Sequence, residues 1–273
     1  MPYVTTADKT QIYVKDWGRG RPVVLIHGWP LSADSWETQA YALANAGYRV
    51  IAYDRRGFGR SSQPWSGYDY DTLTDDLHEI MKALDVKDAA LIGFSMGGGE
   101  VARYMSKYQG AGVVQAGLIS SIVPYKLKTP DNPKGTPLKA LEETLAGIEK
   151  DRARFFAAFF KKFYGMKGGK KPVSNEVLQA SWNVAMQGGL NATLACANSF
   201  FKTDFRPELA SFKVPTLIIH GTKDENVPIE SSGIPAAKGI KSSELIQYKG
   251  APHGVLATHA QRVTDDLLGF LKG

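Results

Sequence analysis

Short apolar runs alternate with amphipathic stretches along this chain, and the alternation restricts its folds more than any other feature. The runs fall at 11–17, 23–27, 49–53, 89–94, 113–119, 216–220 and 245–248. Most are brief, β-branched and lack a polar face, as strands covered on both sides do. Between them, apolar residues recur at helical spacing over 34–45, 72–84, 97–108, 230–237 and 258–271. Strands that alternate with helices pair in parallel, because each crossover returns the chain to the same end of the sheet. A mostly parallel sheet flanked by helices is expected.

The alternation lapses after Ser121 and resumes near Val214. The interval opens with VPYKLKTPDNPKGTP and continues in helix-like sequence, so 122–205 is read as a helical insertion into a core built from 1–121 and 206–273. Phe155, Phe156, Phe159, Phe160 and Phe163 recur there at helical spacing, so several share one face. Two uses of that face stay open: packing within the insertion, or an apolar wall over a substrate pocket. The net charge of +6 is confined to the same segment, which carries 13 Lys+Arg against 7 Asp+Glu while the rest of the chain is balanced. Neither interleaved stacking aromatics nor a nucleic-acid module accompanies it, so no nucleic-acid partner is expected and the lysines are read as solvated on helices.

The opening MPYVTTADKTQIYV lacks a charged leader with an apolar core, and no apolar run is long enough to span a bilayer. With Cys196 alone, no intramolecular disulfide forms. A soluble, cytoplasmic protein without a membrane partner is the expectation.

The sharpest local signal is GFSMGG at 93–98, between the strand-like ALI and the helical GEVARYMSKY. A tight strand-to-helix turn needs small neighbours, which Gly93 and Gly97 supply, and it lifts the Ser95 hydroxyl above the sheet edge as a candidate nucleophile. The same turn sets the Met96 N–H near a helix N-terminus, where negative charge is favoured. A serine hydroxyl needs a base within hydrogen-bond reach, and the base needs a carboxylate to hold its tautomer. Of five histidines, His27 and His220 end strands, His78 lies inside a helical pattern and His259 sits in the last helix, expected in solvent. His253, in the loop KGAPHG after a strand, is the expected base because α/β sites assemble at the carboxyl ends of strands. The acid is expected between serine and histidine in chain order, and PTLIIHGTKDENVP offers Asp224 first, with Glu225 as the fallback. Asp54 precedes the serine and is read as holding the Arg55–Ser61 loop. No H-x-x-x-H, H-E-x-x-H, Cys pair or dinucleotide-binding G-x-G-x-x-G unit is present, so neither metal nor cofactor is expected.

HGWP at 27–30, DRRGFGRS at 54–61, GFSMGGGE at 93–100, HGTKDENVP at 220–228 and APHG at 251–254 together resemble the α/β-hydrolase group of bacterial arylesterases and cofactor-free haloperoxidases, or perhydrolases. The resemblance implies an α/β-hydrolase fold, with an eight-stranded sheet and a helical cap inserted after the sixth strand. It implies a Ser95, Asp224, His253 triad and an oxyanion hole from the Trp29 and Met96 backbone N–H groups. Members of the group are often homo-oligomers. Asn226 departs from the apolar side chain common at that place, which bears on substrate choice. The expected pocket wall is Pro30, Phe94, Phe159, Phe163, Asn226 and Val227.

The expected activity is serine-dependent hydrolysis of small aryl or alkyl esters through an acyl-enzyme, with hydrogen peroxide able to replace water and yield a peracid. Pro30 restricts Trp29 to an extended conformation, and two readings of that stay open: it turns the Trp29 carbonyl toward peroxide, or it only stiffens the turn. The competing reading is a small-molecule receptor of the same fold with slow turnover, which would release one burst of product from p-nitrophenyl acetate and stall. An aspartate at the elbow would have pointed to dehalogenase or epoxide hydrolase chemistry, but Ser95 stands there.

Overall fold

The computed structural model describes residues 2–273. Strands form at Tyr3–Thr5 (β1), Gln11–Gly18 (β2), Pro22–Ile26 (β3), Arg49–Tyr53 (β4), Ala89–Phe94 (β5), Val113–Ile119 (β6), Thr216–Gly221 (β7) and Ser243–Tyr248 (β8). They make one sheet in the order β1-β2-β4-β3-β5-β6-β7-β8. β1 and β2 run antiparallel to their neighbours, and every other pairing is parallel. The side chains of β5 and β7 are buried along their whole length, which is why these strands read as unbroken apolar runs. β1 had no signature in the sequence, because three residues cannot display an alternation; its pairing of Tyr3 with Tyr13 supplies what local pattern does not.

The helices are Glu37–Asn45 (α1), Tyr70–Ala83 (α2), Gly97–Lys107 (α3), Leu138–Phe163 (α4), Asn175–Gln187 (α5), Leu190–Lys202 (α6), Gly233–Gly239 (α7), Val255–Thr258 (α8) and Ala260–Leu271 (α9). Side-chain caps fix some of the starts: Asp69 accepts from the Thr72 N–H before α2, and Ser174 from the Val177 N–H before α5. The expected helix over 258–271 is divided at His259, whose backbone leaves the helical region. His259 is half-buried against the Tyr248 ring, 5.6 Å between centroids, rather than in solvent. Among the described residues no helix is long and apolar enough to cross a membrane.

α4, α5 and α6 all lie between β6 and β7. α4 breaks at Asp151 (φ −161°, ψ 87°), whose carboxylate accepts from the Arg154 N–H at 2.9 Å and so caps the second half of the helix. That second half carries the phenylalanine row. Phe156, Phe160 and Phe163 are buried while Phe155 and Phe159 are partly exposed, so the row divides between packing and a surface. The paired register of the parallel strands brings Ile26, Phe94, Ile119 and Gly221 to one edge of the sheet. The loops that follow them carry the candidate site.

Candidate active site

Ser95 follows β5 directly and adopts φ +54°, a left-handed conformation that costs a non-glycine residue energy and recurs where function needs it. The turn closes because Gly93 has no side chain: a Cβ there would meet the Gly97 carbonyl oxygen at 2.4 Å. Gly28 passes equally close on the other side, since a Cβ on it would meet Ser95 Cβ at 2.9 Å. The chain after β3 is thus pressed against the serine.

His253 and Asp224 converge on Ser95 from the loops after β8 and β7. The Ser95 hydroxyl lies 2.9 Å from His253 Nε2, and His253 Nδ1 lies 2.6 Å from Asp224 Oδ2. With Nδ1–H donating to the carboxylate, Nε2 is left to accept the serine proton. Asp224 Oδ1 accepts the N–H groups of Asn226 and Val227 at 2.9 and 2.7 Å, which fixes the carboxylate's rotation. Burial pushes the Asp224 carboxyl up, but His253 and a contact from His220 outweigh it and hold the group well below the usual carboxylate range. His220 Nε2 donates to the Val227 carbonyl at 2.8 Å and lies 3.3 Å from Asp224 Oδ2. His220 therefore braces the acid's loop. Glu225 pairs with Lys167 at 3.4 Å rather than with His253, so it does not take the acid's place.

The remaining histidines have structural partners. His27 Nδ1 donates to the Gly28 carbonyl and its Nε2 accepts the Arg55 N–H, both at 2.9 Å, so it ties the loop after β3 to the loop after β4. Burial, reinforced by the Arg55 charge, lowers its pKa and keeps it neutral. His78 stacks on Tyr108 with ring centroids 4.0 Å apart. Asp54 accepts the N–H groups of Ala33 and Arg60 and so holds two loops at once.

A pair of residues that the sequence left without partners sets the spacing of these loops. The Arg55 guanidinium binds Glu100, in the first turn of α3, and also donates to the His27 carbonyl at 2.7 Å. Tyr53 donates its hydroxyl to the same carboxylate. Burial disfavours the Arg55 charge, but Glu100 outweighs burial and raises its pKa. Removing one member of such a buried pair strands the other charge. Glu100→Gln is therefore expected to cost about 3–5 kcal/mol, read as a lower urea midpoint at an unchanged slope.

Ser95 and His253 face a cavity of about 360 Å³, walled by Trp29, Phe155, Phe159, Phe200, Phe201 and Val227. The Trp29 indole N–H donates to the Thr193 carbonyl at 3.0 Å, and its ring meets Phe156, Phe159 and Phe200 edge-on or tilted. The backbone N–H groups of Trp29 and Met96 have no acceptor among the described residues. Among the expected wall residues, Phe159, Asn226 and Val227 do face the cavity. Phe94, Phe163 and Pro30 do not. Phe94, at the end of β5, and Phe163 are buried against the His253 ring, with centroids 5.3 and 4.9 Å away; for Phe163, helical spacing groups rings on a face without telling which ring is deepest. Pro30 is buried and joined to Trp29 by a cis peptide bond. Missed by the sequence reading were Phe200, Phe201 and Lys126, whose positions depend on the path of the insertion. Among the described residues no group of three or more His, Cys, Asp or Glu is placed to hold a metal ion.

The arrangement can pass a proton from Ser95 to His253, and the Trp29 and Met96 N–H groups beside it are left without an acceptor among the described residues. The chain is 42% identical to a non-heme chloroperoxidase of Streptomyces lividans and 41% identical to a bifunctional esterase/perhydrolase of Acinetobacter calcoaceticus, each over 100% of both chains. A crystal structure of a bromoperoxidase from Bacillus anthracis superposes with a TM-score of 0.96 at 45% identity, covering 99% of both chains. The α/β-hydrolase fold profile matches residues 21–260, and with the parallel sheet and the serine turn after β5 the chain belongs to the α/β-hydrolase fold family.

Proposed function

We propose that this chain is a serine-dependent carboxylic-ester hydrolase of the arylesterase kind that also transfers acyl groups to hydrogen peroxide. The observation that carries the reading is the unbroken hydrogen-bond line from Ser95 through His253 to Asp224, opening on an aromatic-walled cavity. Ser95 Oγ attacks the ester carbonyl carbon as its proton passes to His253 Nε2. The carbonyl oxygen takes the electron pair and is met by the N–H groups of Trp29 and Met96. Losing one comparable side-chain donor in such a hole costs about 2.7–4 kcal/mol, which sets the scale of their contribution. The tetrahedral adduct collapses, the leaving alcohol takes the proton from His253, and Ser95 holds the acyl group. Water then releases a carboxylic acid, or hydrogen peroxide releases a peracid, with His253 again accepting and returning the proton. A peracid so formed oxidises bromide or chloride outside the site.

The helical segment 122–205 serves as a cap over the cavity, a role supported by the contribution of α4 and α6 to its wall. A small ester and water or peroxide are the reactants. A cytoplasmic location is supported by the single, buried Cys196, which no disulfide employs. The test is a turnover series over short aryl and alkyl esters with and without peroxide. Many turnovers per Ser95, and peracetic acid from p-nitrophenyl acetate when peroxide is present, are expected. A single burst followed by a stall would contradict the reading.

A further inference from the structure

One side chain of the cavity wall is out of keeping with an apolar ester site. Lys126, in the Pro-rich stretch before α4, is not one of the solvated helix lysines expected of its segment: it lies outside any helix and is only 6% exposed. Its ammonium donates to the Asn226 carbonyl and sits 4.8 Å from the centroid of the Phe201 ring. The other two N–H donors of the ammonium have no partner among the described residues. Beside it the Asn226 side-chain oxygen is buried without a partner among the described residues, and a half-turn of that amide offers its NH2 group instead. A buried cation with donors to spare in a substrate cavity costs stability unless something there uses it.

We propose that Lys126 binds a second, ionised carboxylate on the substrate, so that the preferred esters are singly anionic ones. The inference rests on the ester-hydrolase reading of the same cavity. The charges acting on Lys126 are Asp224 from the loop after β7 and Lys162 from α4, the latter on the cavity's rim, while Glu225 also lines the cavity but is exposed and paired with Lys167. Asp224 is already engaged by His253 and Glu225 by Lys167, so the ammonium is left free for one carboxylate, while the same two acids oppose a dianion such as a phosphate monoester. Burial lowers the Lys126 pKa, Asp224 raises it and Lys162 lowers it, leaving it at about 8, so the ammonium is charged near neutrality and is discharged in mild alkali.

The experiment compares kcat/KM near neutral pH for two matched pairs: ethyl hydrogen adipate with ethyl hexanoate, and 4-acetoxybenzoate with 4-acetoxybenzamide. The first pair carries the charge on the acyl side and the second on the leaving group. In at least one pair the anionic ester is expected to be preferred, chiefly through KM. Lys126→Met is expected to lower that preference by about ten- to a hundredfold, the worth of a charge-assisted hydrogen bond. Raising the pH of the wild-type protein through about 8 should erode the same ratio, which keeps the test available if the variant does not fold. Neutral esters turned over through Ser95 with no anionic preference in either pair, or a preference indifferent to both Lys126→Met and pH, would overturn the proposal and leave the esterase reading standing. Should no ester be turned over, calorimetry of ethyl hydrogen adipate on Ser95→Ala protein decides: binding lost in the Lys126→Met double variant supports the site, and absence of binding overturns it.

Discussion

Ser95→Ala is expected to leave the protein folded and to lower ester turnover by roughly 10⁶-fold, the scale on which removal of a nucleophile acts when base and acid remain. The fold survives because the serine's backbone does the structural work: its N–H donates to the Ile119 carbonyl and its carbonyl accepts from Gly98 and Ile122. The hydroxyl's one protein contact is His253 Nε2. Retained turnover would come only from the N–H groups of Trp29 and Met96 and from the cavity, acting on water. Stopped assays with p-nitrophenyl acetate measure the loss, and an unaltered urea midpoint separates it from unfolding.

Asp224→Asn is expected to lower kcat by about 10⁴-fold, and the reason lies in the two faces of this carboxylate. Oδ1 receives two buried backbone N–H groups while Oδ2 receives His253 Nδ1–H. An amide that keeps its oxygen on the backbone donors must turn its NH2 toward His253. The imidazole then accepts through Nδ1 and carries its proton on Nε2, the tautomer that cannot take a proton from Ser95. The same residue sets an acid limit to stability. Because the native carboxyl releases its proton well below the pH at which an unfolded aspartate does, its contribution is complete above about pH 5 and declines as the pH falls further. Urea midpoints measured downward from that pH should fall more steeply for wild type than for Asp224→Asn.

The sequence disclosed the line of Ser95, His253 and Asp224 because each sits on a turn or loop that follows a strand, where chain order and loop position suffice to bring them together. It disclosed the parallel core for the same reason. What it concealed depends on pairs far apart in the chain. Arg55 and Glu100 lie on different elements, and nothing in either neighbourhood announces a buried ion pair. Phe159 and Phe163 are spaced alike on α4, yet one faces the cavity and the other the imidazole, a difference set by how the helix is rotated against the sheet edge. Lys126 shared its segment's charge excess with exposed lysines such as Lys167, and it is buried by residues far off in the chain, Phe201 of α6 and Asn226 of the loop after β7.

Turnover through Ser95 requires an acyl group carried on its hydroxyl, and mass spectrometry of the protein, intact and digested after a rapid acid quench, detects it. During turnover of p-nitrophenyl acetate, one acetyl group per chain is expected on the peptide containing Ser95, absent from Ser95→Ala and removed faster when peroxide is added. Full turnover with no acyl group on that peptide, or an acyl group that persists in Ser95→Ala, would contradict it.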